Sequence, residues 1–214
     1  MPAPPQEVIE SLRRHAGSDD PAVHRYMNNA GYPEVRASIG SYLSRSLGLP
    51  FGARSGIMTV GAAGGMNVVL KSILDPGDEV VIIVPYFVEY LFYIDNHGGK
   101  VVKVPAGADF DLDVGGISAA VTARTKAVVI CTPNNPTGVV YSDDTLEALG
   151  RALEAKEREI GHAIYLVSDE PYRKIVFDGR SSPSHLRHYK DSILVTSHSK
   201  DLALPGERIG YVAI

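Results

Sequence analysis

Lys200 lies in Ser197-His198-Ser199-Lys200, and Arg208 follows eight positions later in Leu204-Pro205-Gly206-Glu207-Arg208-Ile209-Gly210. Upstream stand Asn134-Asn135-Pro136-Thr137-Gly138 and Ser168-Asp169-Glu170-Pro171-Tyr172. Taken singly, each is ordinary: most lysines are solvated side chains, and Asn-Pro-Thr-Gly reads as a turn. Together and in this order they describe one covalent device. It is a lysine imine to pyridoxal phosphate, with partners for the ring, its oxygen and its phosphate.

Each part has a physical requirement. A phosphate dianion needs fixed donors. Gly61-Ala62-Ala63-Gly64 leads from an apolar run into a helical pattern, where small residues let backbone N–H groups approach and the helix start favours negative charge. Arg208 offers a two-pronged guanidinium and Ser197 a hydroxyl. A carboxylate against the pyridine nitrogen keeps that nitrogen protonated, so the ring can take up electrons. Asp169 ends an apolar run and fits that place, provided a partner offsets the cost of burying its charge. Lys200 can form the imine and, once displaced, move a proton as general base and acid.

At these residues the chain resembles the pyridoxal-phosphate-dependent aminotransferases of fold type I, in the aspartate-aminotransferase-like class I/II group, from about Pro4 to Ile214. The resemblance implies phosphate ligands at Ala62, Ala63, Ser197 and Arg208. It implies hydrogen bonds to the ring oxygen from Asn135 and Tyr172, and stacking by Phe87, where many relatives carry Trp or Tyr. Lys200, Asp169 and Tyr172 become the expected catalytic set. The tyrosine of Tyr26-Met27-Asn28-Asn29-Ala30-Gly31 would reach the phosphate of a neighbouring subunit, which implies a homodimer. The implied reaction moves an amino group between an α-amino acid and a 2-oxo acid through a Lys200 Schiff base, with an aspartate or aromatic donor as the family-level expectation. Two alternatives share the cofactor: a β-lyase or decarboxylase on the same scaffold, and a non-catalytic pyridoxal-phosphate-binding regulatory module.

The pattern along the chain predicts the elements that position these residues. Helices are expected over Gln6–His15, Pro33–Leu47, Ala63–Leu74, Val88–Asn96 and Asp143–Arg158. Strands are expected over Ile57–Val60, Glu79–Val84, Lys100–Val104, Ala127–Cys131, Ala163–Val167 and Ile193–Thr196, and Asp19–Tyr32 reads as loop. Continuous apolar runs alternating with helices indicate an α/β fold, with a mainly parallel sheet sandwiched by helices. The resemblance implies that this is the large domain of the fold-type I transferases. The polar motifs follow the strands, at the carboxyl edge where open α/β sheets bind ligands. The division expected is an N-terminal segment and loop over 1–32 and a cofactor-binding large domain over 33–214. The resemblance also implies a C-terminal small domain, so the sequence is expected to be a fragment of a longer enzyme, comprising mostly the large domain.

Composition narrows the function classes. The 214 residues suffice for a sizeable core, and 44% hydrophobic with 21% charged residues is ordinary for a globular protein. A formal charge of −4 gives no reason to expect nucleic acid or an acidic membrane surface. No apolar stretch reaches the roughly 20 residues a membrane helix needs. One cysteine, Cys131, and no signal-peptide pattern point to the cytoplasm. His185 and His188 have the spacing of a shared helix face but no further ligands, so no metal is expected and both read as surface residues.

Overall fold

The computed structural model describes residues 3–214. The elements are α1 (Gln6–Ala16), α2 (Pro33–Leu47), β1 (Gly56–Val60), α3 (Gly61–Ile73), β2 (Glu79–Val84), α4 (Tyr90–Asp95), β3 (Lys100–Pro105), α5 (Val114–Ala120), β4 (Thr125–Cys131), α6 (Asp143–Ile160), β5 (Tyr165–Asp169), β6 (Ser192–Ser197), α7 (His198–Asp201) and β7 (Ile209–Ala213). The caps follow the sequence. Pro33 sits in the first turn of α2, and Gly48 ends it in the left-handed conformation. Ser142 accepts from the Thr145 N–H at the start of α6, and Gly161 closes that helix.

One seven-stranded sheet runs in the order β1-β7-β6-β5-β4-β2-β3. The pairings of β2 with β3 and β4, of β4 with β5 and of β5 with β6 are parallel. β7 runs antiparallel between β1 and β6. After β3 the chain returns to the other side of β2, so the order reverses between β2 and β4, and a crevice opens beyond the strand ends.

Alternate residues of each strand feed opposite faces. On one face, Val80, Ile82, Val129, Val167 and Val195 pack with Met66, Val69 and Leu70 of α3 and with Tyr90 and Ile94 of α4. On the other face, Val81, Val128, Ile130 and Leu166 pack with Ile117 of α5 and with Leu146, Leu149 and Leu153 of α6. Leu43 and Leu47 of α2 cover Leu194, Tyr211 and Ala213 on that second side. The result is the three-layer arrangement expected, with boundaries shifted by a few residues.

Three features differ from the sequence reading. A short 3-10 turn, Pro21–His24, interrupts the expected loop, with Asp20 capping it. The strand expected over 163–167 lies at Tyr165–Asp169, which makes Asp169 the last strand residue. His185 is fully buried, not a surface residue, because Glu170 and the Ile193 carbonyl bracket its ring. No helix among the described residues is long and apolar enough to cross a membrane.

Candidate cofactor site

The carboxyl ends of β1, β2, β4, β5 and β6 share one edge of the sheet, and an open cleft of about 380 Å³ lies there. Its lining includes Ala62, Ala63, Phe87, Asn135, Asp169, Tyr172, Ser197, Lys200 and Arg208, so every site residue expected from the sequence except Tyr26. Tyr26 projects into solvent with no part of its ring covered. Sequence reasoning missed Met66, Glu89, Tyr93, Pro171, Ser199 and Pro205, which also line the cleft. Of these, the Tyr93 hydroxyl donates to the Glu89 carboxylate, a pairing that no pattern in the sequence marked.

Arg208 reaches this edge because β7 is antiparallel. Ile209 pairs with Val60 and Gly210 with Ser197, so the start of β7 meets the ends of β1 and β6. Arg208 adopts φ 53° and its Nη1 donates to the Pro205 carbonyl at 3.0 Å. Its guanidinium lies against the first turn of α3: a Cβ on Gly61, itself at φ +68°, would stand 2.5 Å from Nη2. A Cβ on Gly210 would stand 2.5 Å from the Thr196 carbonyl and 2.7 Å from Gly61, so two glycines allow three backbones to converge beside Arg208. The helix start with Ala62 and Ala63, the Ser197 hydroxyl and this guanidinium form one concentration of donors at that end of the cleft.

Asp169 lines the same cleft. Its Oδ2 accepts from the Tyr90 hydroxyl at 2.8 Å, and its Oδ1 is buried without a partner. Burial pushes the carboxyl up to about 6; the Tyr90 bond opposes the rise and the nearby Glu170 charge adds to it. The same surroundings, burial first and then Asp169, push the Tyr90 hydroxyl well above its ordinary range. The sequence called for a partner to offset that burial; within the chain it is this neutral hydroxyl. Tyr90 is a residue the sequence reading lacked. Phe87 meets the Tyr90 ring edge-on at 5.7 Å between centroids.

Lys200 sits in α7, one short turn after β6, with Nζ 5.8 Å from the centre of the Tyr172 ring. Burial, followed by Cys131 and Asp169, raises the Tyr172 hydroxyl. Asn135 joins the wall from the loop after β4. His198 turns away from the cleft and faces Asp201 at 3.3 Å.

An unpartnered buried carboxylate oxygen, an amine, aromatic faces and a clustered set of phosphate donors are the furnishings of a pyridoxal-phosphate enzyme, and the residues present fit that group. The chain belongs to the class I and II aminotransferase family, whose model matches residues 2–214, and members of that family use pyridoxal 5'-phosphate. It is 37% identical to a probable aspartate/prephenate aminotransferase of Thermus aquaticus, over 97% of this chain and 52% of that protein. It is 31% identical to a probable aspartate aminotransferase of Methanocaldococcus jannaschii, over 98% of this chain and 53% of that protein. Among solved structures, an aminotransferase from Eubacterium rectale superimposes with a TM-score of 0.96 at 38% identity, covering 99% of this chain and 54% of that one. The aspartate aminotransferase of Thermus thermophilus with maleate gives 0.88 at 36%, covering 99% and 53%. The chain thus spans about half the length of the relatives it matches.

Proposed function

We propose that the cleft holds pyridoxal phosphate and that the whole protein transfers an amino group between an α-amino acid and a 2-oxo acid. The observation that carries this reading is the buried Oδ1 of Asp169, which has no partner in the chain and belongs to the same cleft as Lys200 and Arg208. A buried acceptor without a partner is rare, and a protonated ring nitrogen would supply one.

When bound, the cofactor supplies an electron sink for the charge that develops at the substrate Cα. The residues supply the rest. Arg208, Ser197 and the backbone N–H groups of Ala62 and Ala63 would bind the phosphate. Asp169 would hold the proton on the ring nitrogen through Oδ1, while Tyr90 occupies Oδ2. Asn135 and Tyr172 would bond the ring oxygen, and Phe87 would cover the ring face. Lys200 would hold the cofactor covalently and, once released, carry the proton from the substrate Cα. The amino acid leaves as its 2-oxo acid, and a second 2-oxo acid takes up the amino group. Residues 33–214 act as the cofactor-binding domain in this reading. The names of the relatives make aspartate the first donor to try.

The full exposure of Tyr26, away from its own cleft, supports a homodimer in which that side chain serves the neighbouring site; a monomeric mass by light scattering with cofactor present would count against it. A buried, unbridged Cys131 supports a cytoplasmic setting, which cell fractionation would check. The central test is the absorbance spectrum of the chain with pyridoxal phosphate, beside Lys200→Ala. The expected result is an imine band in the wild type alone. Equal spectra would remove Lys200 from its role.

A further inference from the structure

Glu170 follows Asp169 directly, yet it serves the other face of the sheet. It lines a small space under α2 together with Tyr42, Leu43, Leu194 and Tyr211. Its carboxylate is fully buried and belongs to no step of the chemistry proposed above. Ser168 Oγ donates to it at 2.9 Å and Arg173 Nη1 at 2.7 Å, and His185 Nδ1 faces it at 3.1 Å. Its main chain is tied as well: the N–H donates to the Val195 carbonyl at 2.8 Å, and the carbonyl accepts from Thr196 Oγ1 at 2.9 Å. The partners are anchored in turn. Arg173 Nη1 reaches the Pro183 carbonyl at 3.3 Å, and His185 Nε2 lies 3.2 Å from the Ile193 carbonyl. One carboxylate therefore joins the ends of β5 and β6 to both ends of the loop over 170–185, the loop that carries Tyr172.

Burial alone would raise the Glu170 carboxyl, but the bond and charge of His185 and the charge of Arg173 outweigh it and hold the group below its ordinary value. Buried ion pairs add little net stability over apolar replacements of the same shape, whereas their directional bonds fix positions. We propose that Glu170, His185 and Arg173 are positioning residues: they form a clamp behind the sheet that sets the orientation of Asp169 and Tyr172 toward the cofactor. This rests on the reading that the cleft holds pyridoxal phosphate.

Two measurements test it. The first is a carboxyl ¹³C titration of Asp169 in the cofactor-free chain, where the wild-type midpoint is expected at about 6. In His185→Ala, which leaves the Glu170 charge in place, that midpoint falls toward the ordinary carboxylate value, because a loosened clamp lets solvent reach Asp169. The second is the affinity for pyridoxal phosphate. His185→Ala weakens it about tenfold in the folded chain, and His185→Gln, which keeps a side-chain donor beside Glu170, restores most of it. Arg173→Lys keeps the charge without the planar fork and carries the same reading if the other variants do not fold. A lowered melting temperature with the Asp169 midpoint and the affinity both unchanged would overturn the clamp and leave a purely structural cluster. The titration needs no cofactor, so it judges the clamp even if the wild-type chain takes up none, and that second outcome would sink the functional reading instead.

Discussion

Tyr90→Phe isolates one hydrogen bond at the floor of the cleft. The ring is buried and the hydroxyl donates at 2.8 Å to Asp169 Oδ2, so the substitution removes an oxygen and leaves the packing in place. A bond to a charged group contributes roughly 1.5–3 kcal/mol and one to a neutral group roughly 0.5–1.5. The variant should therefore cost about 1–1.5 kcal/mol more with Asp169 ionised than with it protonated, and one pKa unit corresponds to about 1.36 kcal/mol. The Asp169 midpoint in the cofactor-free chain should rise from about 6 by about one unit. The sign for stability follows from linkage. The folded carboxyl titrates above its unfolded value of about 3.9, so its contribution is fully present below about pH 4 and is lost as pH rises through about 6. The wild type should lose about 3 kcal/mol on this account across that window, since the two values differ by about two units. In Tyr90→Phe the loss should continue to about pH 7 and grow by the difference worked above. Denaturant melts of the cofactor-free chain at pH 4.5 and pH 8 measure both quantities. An equal cost of the substitution at the two pH values would refute the reasoning, because it would mean that Tyr90 does not distinguish the charged from the neutral carboxyl.

The phosphate end offers two further expectations. Gly61→Ala should weaken pyridoxal phosphate binding at least tenfold, since its Cβ would stand 2.5 Å from Arg208 Nη2 at a backbone φ that favours glycine; equilibrium dialysis against the cofactor measures it, and unchanged affinity would mean that Arg208 is free to move aside. Arg208→Lys should cost about 1.5–3 kcal/mol of binding, with a reduced ability of inorganic phosphate to compete, because a point charge replaces a two-pronged donor. Calorimetry of pyridoxal, which lacks the phosphate, should show no loss in the same variant.

Much of the site was legible because its residues follow strands. Apolar runs ending in Asp169, Cys131 and Thr196 locate strand ends, and ligands in such sheets gather there whatever the details of packing. What the sequence could not supply were contacts made across long separations. The Tyr90 hydroxyl meets Asp169 across 79 positions, and nothing in the local pattern of α4 distinguishes a tyrosine that anchors a carboxylate from one that fills a core. His185 shows the same limit from the other side. Three residues from His188 in a polar loop, it has the local look of a surface residue, yet Glu170 and Ile193 draw it fully inside.

The direction of β7 explains why Arg208 belongs to the site at all. A parallel strand after α7 would begin at the amino edge of the sheet, and Arg208 would then stand a full strand length from Lys200. At about 3.3 Å per residue, five residues place that gap near 16 Å. The antiparallel β7 instead needs only the short segment from Leu202 to Arg208 to turn back along the same edge. Arg208 and Ala203, both at positive φ, bend that segment, and Gly210 lets it pass against Thr196 and Gly61. Strain at non-glycine residues persists where the surroundings hold it in place, and it gathers at functional sites. Here it lies between the amine that would hold the cofactor and the guanidinium that would hold its phosphate.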